Sequence, residues 1–233
     1  MNLAIMQPYF FPYIGYFQLF NLVDEFVIYD NIQYTKKGWI NRNRILNNSK
    51  DDFITIPIKK DSDFLNINQR YLADTWILDR KKILNRIVES YKRAPNFNQV
   101  FSLFEKCIIS EKVNLFDFLL NSLVETNNYL EISTKFTLSS TLDIDHSLKS
   151  QEKVLAICKY LNASEYTNPI GGLNLYSKSK FQENSIKLQF HRSNLIQYQQ
   201  FTNDYLPWLS IIDVMMFNSK SDIIDFIHAY SLE

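Results

Sequence analysis

Short apolar runs of strand length alternate along this chain with longer stretches in which apolar residues recur at helical spacing. Few other features restrict a fold so much. The strand-length runs fall at residues 3–6, 25–30, 53–58, 135–138, 165–168 and 186–190, with Asn47, Asn48 and Ser49 as a turn before the third. Helical spacing is expected at residues 14–23, then along a stripe of Trp76, Ile77, Ile83, Leu84, Ile87, Val88 and Tyr91 that Pro95 ends. It is expected again at 98–109, 115–130, 151–161, 205–217 and 221–229. Strands alternating with helices predict an α/β fold: a mainly parallel, Rossmann-like sheet flanked by helices. No linker or repeat divides residues 1–233, which read as one domain with a helical insertion or lid at about 74–130.

Composition narrows the function. Lys and Arg total 25 against 25 acids, so the basic surplus that electrostatic nucleic-acid binding requires is absent. Cys107 and Cys158 are too few for a disulfide framework or a multi-cysteine zinc site, and buried thiols are the commoner use. His146, His191 and His228 lack the i, i+4 partner of a helical zinc site, so no metal is expected. No apolar run reaches the roughly 18 residues of a membrane span, and no signal-peptide pattern opens the chain. A cytoplasmic protein without a membrane segment is the expectation.

Three segments carry polar chemistry at strand ends. Residues 7–16 (Gln7, Pro8, Tyr9, Phe10, Phe11, Pro12, Tyr13, Ile14, Gly15, Tyr16) follow the first strand and precede the first helix, where open α/β sheets bind ligands. Prolines stiffen this loop, Gly15 permits close approach, and the helix N-terminus could face an anion. Phe10 and Phe11 read as core. Gln7, Tyr9 and Tyr16 are either packing or site residues.

The second segment, from Asp30 through Tyr34, Lys36, Lys37, Gly38, Trp39, Asn41, Arg42, Asn43 and Arg44, has four cations after its single acid. It reads as an anion site with Trp39 as a stacking face, or as a solvated basic hairpin. The third is Asn168-Pro-Ile-Gly171-Gly172-Leu-Asn-Leu-Tyr176, where a glycine pair after a strand is a substrate-approach loop or a tight turn. It lacks the Gly-Lys-Ser/Thr of a Walker motif. Ser210 and Asp213, one turn apart, either lock a helix or face the cleft.

Together these segments resemble the WbqC-like family of bacterial O-antigen and capsule gene clusters. The resemblance rests on residues 5–30, on 34–46 with Gly-Trp-Ile-Asn-Arg-Asn-Arg, on the Asn-Pro-Ile-Gly-Gly loop to Tyr176, and on 208–218. It implies transfer of glycine or a related acyl group onto a sugar of the polysaccharide. A looser similarity links the first fifty residues to nucleotidylyltransferases and class I synthetases. Tyr16 stands where their phosphate-binding histidine would be, so this likeness supports the fold only.

The expectation is an N-acyl or aminoacyl transferase acting on an amino sugar, with no tightly bound cofactor. An activated acyl donor would come from coenzyme A, a carrier protein or an aminoacyl-tRNA. Asp30 would serve as base or amine-orienting carboxylate, and Arg42 and Arg44 would hold a diphosphate. Gln7, Asn41, Asn43 or the Gly171 and Gly172 amides would meet the oxyanion, with Trp39 and Tyr16 stacking on base or sugar. Asp30→Asn should then abolish turnover with little change in thermal midpoint. The alternatives are a non-catalytic nucleotide- or sugar-binding protein and a divergent nucleotidyltransferase. A homodimer is compatible with the aromatic-rich surface.

Overall fold

A computed structural model describes residues 1–202 and 204–233. Six strands form one sheet: β1 (Asn2–Met6), β2 (Glu25–Ile28), β5 (Lys135–Leu138), β6 (Glu165–Pro169), β7 (Lys187–Ser193) and β8 (Tyr230–Leu232). Their spatial order is β5-β2-β1-β6-β7-β8, with every pairing parallel except β7–β8. Counting only these strands, that is the 3-2-1-4-5-6 order of a doubly wound dinucleotide-binding sheet, whose order reverses between β1 and β6.

Alternation along the central strands divides the core. Ala4, Phe26 and Ile28 join one apolar cluster, and Leu3, Ile5 and Val27 join the other, so both faces need a covering layer. Helix α1 (Ile14–Leu22) serves the first face and α5 (Ser150–Tyr160) the second. Cys107 and Cys158 are buried free thiols, which burial holds up at about 12, so both remain protonated.

Between β2 and β5 lie an antiparallel hairpin, β3 (Arg42–Asn47) with β4 (Lys50–Thr55), and helices α2 (Trp76–Tyr91), α3 (Phe97–Ile108) and α4 (Leu115–Tyr129). Asn48 and Ser49 both take positive φ, as a tight hairpin turn requires, so the expected turn lies where it was placed. The helical insertion packs into the main apolar core. Phe104 and Phe118 pack on Phe10 at ring distances of 6.3 and 6.1 Å, and no residue of α2–α4 lines either larger cavity.

Two stretches correct the sequence reading. The expected helix over 205–217 is helical only as α7 (Ile211–Phe217), because Ser210 caps it and Trp208 before it has φ 60°. The basic run ends in strand β3, so hydrophobic periodicity was masked there by Arg42, Asn43 and Arg44. A short α6 (Lys178–Glu183), a terminal α8 (Lys220–Ile227) and the edge strand β8 complete the chain. Among the described residues, no helix is long and apolar enough to cross a membrane, and no cluster suited to a metal ion occurs.

Candidate functional site

β1 and β6 pair only through Asn2–Glu165 and Leu3–Tyr166, while β1–β2 continues to Met6–Ile28 and β6–β7 to Pro169–His191. The two strands therefore part at the point where the sheet order reverses. A cleft of about 690 Å³ fills the opening. Gln7, Tyr9, Tyr29, Asn168, Gly171, Gly172, Asn174 and Tyr176 line it, with Ser150 and Gln151 from the start of α5. The helix terminus at the cleft is thus that of α5, since Gly15 in α1 lines neither larger cavity.

Within the Asn168–Tyr176 segment Ile170–Leu175 turns as a 3-10 helix, and its glycines do different work. A Cβ on Gly172 would lie 1.9 Å from Asn168 Nδ2, so Gly172 lets the Asn168 amide fold back over the loop. There Asn168 accepts from the Tyr166 hydroxyl at 2.9 Å and donates to the Pro169 carbonyl at 2.8 Å. A Cβ on Gly171 would meet nothing.

A second chamber of about 420 Å³ adjoins the first and shares Tyr9 with it. Pro12, Tyr13, Trp39, Asn43, Arg44, Ile170, Arg192 and Trp208 are among its walls. Tyr13 lies across the first turn of α1, where a Cβ on Gly15 would come within 2.4 Å of its ring. Burial raises the pKa of the Tyr9 and Tyr13 hydroxyls, so both stay protonated at neutral pH. Trp208 sits in the left-handed region that a bulky side chain rarely adopts, a strain of about 1–3 kcal/mol that the surroundings must hold.

The basic hairpin is only partly a site. Asn41 is buried, accepting from the Tyr34 hydroxyl at 2.8 Å and donating to the Ile56 carbonyl at 2.7 Å. Asn43 donates to the carbonyls of Phe10 and Phe11 at 3.1 and 2.7 Å. The Arg42 guanidinium donates to the carbonyls of Lys37 and Gly38 and so closes its own loop. Of this run, Trp39, Asn43 and Arg44 are cavity walls. Arg44 also donates to the Trp208 carbonyl at 3.1 Å and pairs with Asp51, while its buried Nε has no partner among the described residues.

Asp30 is buried at the end of β2 and lines neither chamber. Its carboxylate accepts from Asn68 Nδ2 at 3.0 Å, Ser139 Oγ at 2.9 Å and the Ser140 amide at 2.9 Å. It ties three connections together. Asp30→Asn would set a donor against these donors and cost about 1–3 kcal/mol, which replaces the expected unchanged midpoint. Tyr16 is also buried, its hydroxyl donating to the Gln7 carbonyl at 2.7 Å, so its ring supports the loop. Ser210 caps α7, and Asp213 is fully buried among Tyr91, Tyr198 and Gln200, which is the helix-locking reading of that pair.

Several wall residues were not singled out in the sequence. Arg192 lies next to the end of β7 and Tyr29 follows β2, while Tyr13 belonged to the loop of residues 7–16 and Trp208 to the stretch expected to be helical. Lys153 is 3% exposed, with its ammonium 5.1 Å from the centre of the Tyr29 ring that lines the cleft. Burial lowers its pKa, opposed by Asp30 and Asp145.

A family model described as the WbqC-like protein family matches residues 7–224. A protein of Mycobacterium tuberculosis strain H37Rv described as "Uncharacterized protein Rv1507c" is 29% identical over 229 residues, 97% of each chain. No solved structure matches.

Proposed function

The chain belongs to the WbqC-like protein family, and from that premise we propose that it is an acyl or aminoacyl transferase acting on an amino sugar of surface-polysaccharide synthesis, the sugar carried on a nucleotide. One observation carries the reading. The parted ends of β1 and β6 open into a cleft lined by Gln7, Asn168, Asn174 and the Gly171–Gly172 pair, and Tyr9 also lines a second chamber walled by aromatic rings and two arginines. A cleft and a chamber that share a wall suit the two parts of one sugar nucleotide, with the activated donor reaching its sugar.

In this reading the sugar nitrogen attacks the donor carbonyl carbon. A C–N bond forms, the bond from that carbon to the leaving sulfur or oxygen breaks, and the proton lost by nitrogen ends on the leaving group. The chain supplies position and hydrogen bonds. Gln7, Asn168, Asn174 and the Gly171 and Gly172 amides, which line the cleft, would meet sugar hydroxyls or the developing oxyanion, an oxyanion donor being worth about 3–4 kcal/mol. Asp30 acts as a positioning carboxylate, fixing the end of β2 behind Tyr29.

The test is direct. The purified protein is incubated with UDP-, dTDP-, GDP- and CDP-linked amino sugars and with acetyl, glycyl and longer acyl thioesters, and with glycyl-tRNA. Mass spectrometry should find one sugar nucleotide heavier by one acyl group. Retention of a sugar nucleotide without any adduct across the full donor set would reject catalysis in favour of a binding protein.

A further inference from the structure

We propose that the chamber walled by Trp39, Trp208 and Tyr13 is the nucleoside diphosphate subsite, with the flat base against the indoles and the phosphates at Arg44 and Arg192. The inference rests on the reading of the acceptor as nucleotide-linked, and assigns which chamber takes which part of it.

The indoles supply the first argument. Trp39 and Trp208 are each 43% exposed, whereas the third tryptophan, Trp76, is buried at 5%. A single exposed aromatic is ordinary. Here two, from separate elements, front the same chamber. Each is braced by a neighbouring ring. Trp39 stacks on Phe53 with ring centres 6.1 Å apart and 25° between planes, and Trp208 meets the Tyr13 ring edge-on at 6.1 Å. Braced, part-exposed rings are the surface on which a base stacks, whatever its hydrogen-bonding edge.

The backbone supplies the second. Trp208 holds φ 60°, a conformation suited to glycine, yet the position carries the largest side chain. Three hydrogen bonds hold the segment in place: Arg44 to the Trp208 carbonyl at 3.1 Å, the Ser210 amide to the Arg44 carbonyl at 2.9 Å, and the Ile211 amide to the Pro12 carbonyl at 2.9 Å. A strained backbone kept by surrounding bonds marks a side chain whose direction matters.

Charge supplies the third. Arg44 and Arg192 front the chamber, and each is held by one carboxylate, Asp51 at 3.1 Å and Glu233 at 2.7 Å. Arg44 meets Asp51 through Nη1 and Arg192 meets Glu233 through Nε, which orients each guanidinium and leaves further N–H groups for phosphate oxygens. Tyr9 lines both this chamber and the strand-end cleft, so a sugar attached to the second phosphate would lie toward Gln7 and Asn168.

The experiment measures binding alone, without sugar or donor. UDP, dTDP, GDP, CDP and inorganic pyrophosphate are titrated into the protein by calorimetry and by tryptophan emission. At least one nucleoside diphosphate should saturate and quench emission, at least tenfold tighter than pyrophosphate. Trp208→Gly, which suits the backbone at that position, and Trp39→Ala should each weaken it at least tenfold, while Trp76→Phe leaves it unchanged. Pyrophosphate binding as tightly as every nucleotide, no nucleotide binding, or affinity indifferent to both indole substitutions would overturn the proposal. Amide formation on a sugar without nucleotide affinity would overturn this subsite alone. Nucleotide binding without amide formation would leave the subsite standing and remove the transferase.

Discussion

Asn43 and Ser210 meet at one atom: the Asn43 amide and the Ser210 hydroxyl both donate to the Phe11 carbonyl oxygen, each at 2.7 Å. Phe11 is itself at φ 39°. The hairpin, the loop after β1 and the cap of α7 are therefore pinned together at a strained residue, and the chamber of Tyr13, Trp39 and Trp208 is built on those same three segments.

Asn43→Ala should cost about 2–4 kcal/mol in urea unfolding, because it leaves the buried Phe10 carbonyl without its donor and removes one of two from Phe11. Ser210→Ala should cost less alone. The double variant should fall short of the sum or exceed it by more than about 0.5 kcal/mol, since the two donors share an acceptor. Strict additivity would mean that the shared carbonyl does not couple them.

The glycine pair gives a matched comparison. Gly171→Ala should leave the thermal midpoint within about 2 °C of the parent, since its Cβ meets open space at a surface position. Gly172→Ala drives a methyl into the Asn168 amide and should lower the midpoint several-fold more. Equal midpoints would show that Asn168 turns away freely.

His191 gives the fold a dependence on acid. Burial pushes its pKa down to about 4 from 6.5, and its Nε2 lies 3.1 Å from Gln18 Oε1. A folded pKa below the unfolded one contributes stability that is present above about pH 6.5 and lost as pH falls toward 4. The loss should be about 3 kcal/mol at most. His191→Gln should flatten that part of the curve, read as unfolding free energy between pH 4 and 8. An unchanged slope would place the acid sensitivity elsewhere.

Asp213 works in the opposite sense. Burial raises its pKa against the hydrogen bonds from Tyr198, Tyr91 and Gln200 that lower it. Its contribution is greatest below the ordinary carboxylate range and declines as pH rises through the raised folded value. The stability of the parent minus that of Asp213→Asn should therefore shrink as pH rises from 4. A difference that grows with pH would show that the hydrogen bonds outweigh the burial.

Most of the sheet was legible because strand-length apolar runs, bounded by Asn, Pro and Asp, are local signals. The order of strands was not, yet the strand-end position of residues 7–16 and 168–176 sufficed to place the cleft. The hairpin motif was legible as a cluster but not by role. Asn41, Arg42 and Asn43 turn their donors onto carbonyls of Ile56, Gly38 and Phe11, contacts that only the folded chain reveals, so residue type alone reads equally well as ligand or lock. Trp208 was misplaced because a left-handed residue inside an apolar run leaves no mark on periodicity. Asp30 read as a strand-end acid, and only the three donors around it show a tether.

The central claim is that one nucleotide-linked amino sugar spans both chambers. The most direct measurement is the thermal midpoint of the protein with each complete sugar nucleotide and with its two halves, all at matched concentration. At 100 times its dissociation constant a ligand adds about 2.7 kcal/mol, which for a chain of this size is a rise of roughly 5–10 °C. The account predicts that rise for one complete amino-sugar nucleotide, a smaller one for its nucleoside diphosphate, and little for the free sugar. A flat response to every sugar nucleotide, or a full rise with the free sugar alone, would contradict it.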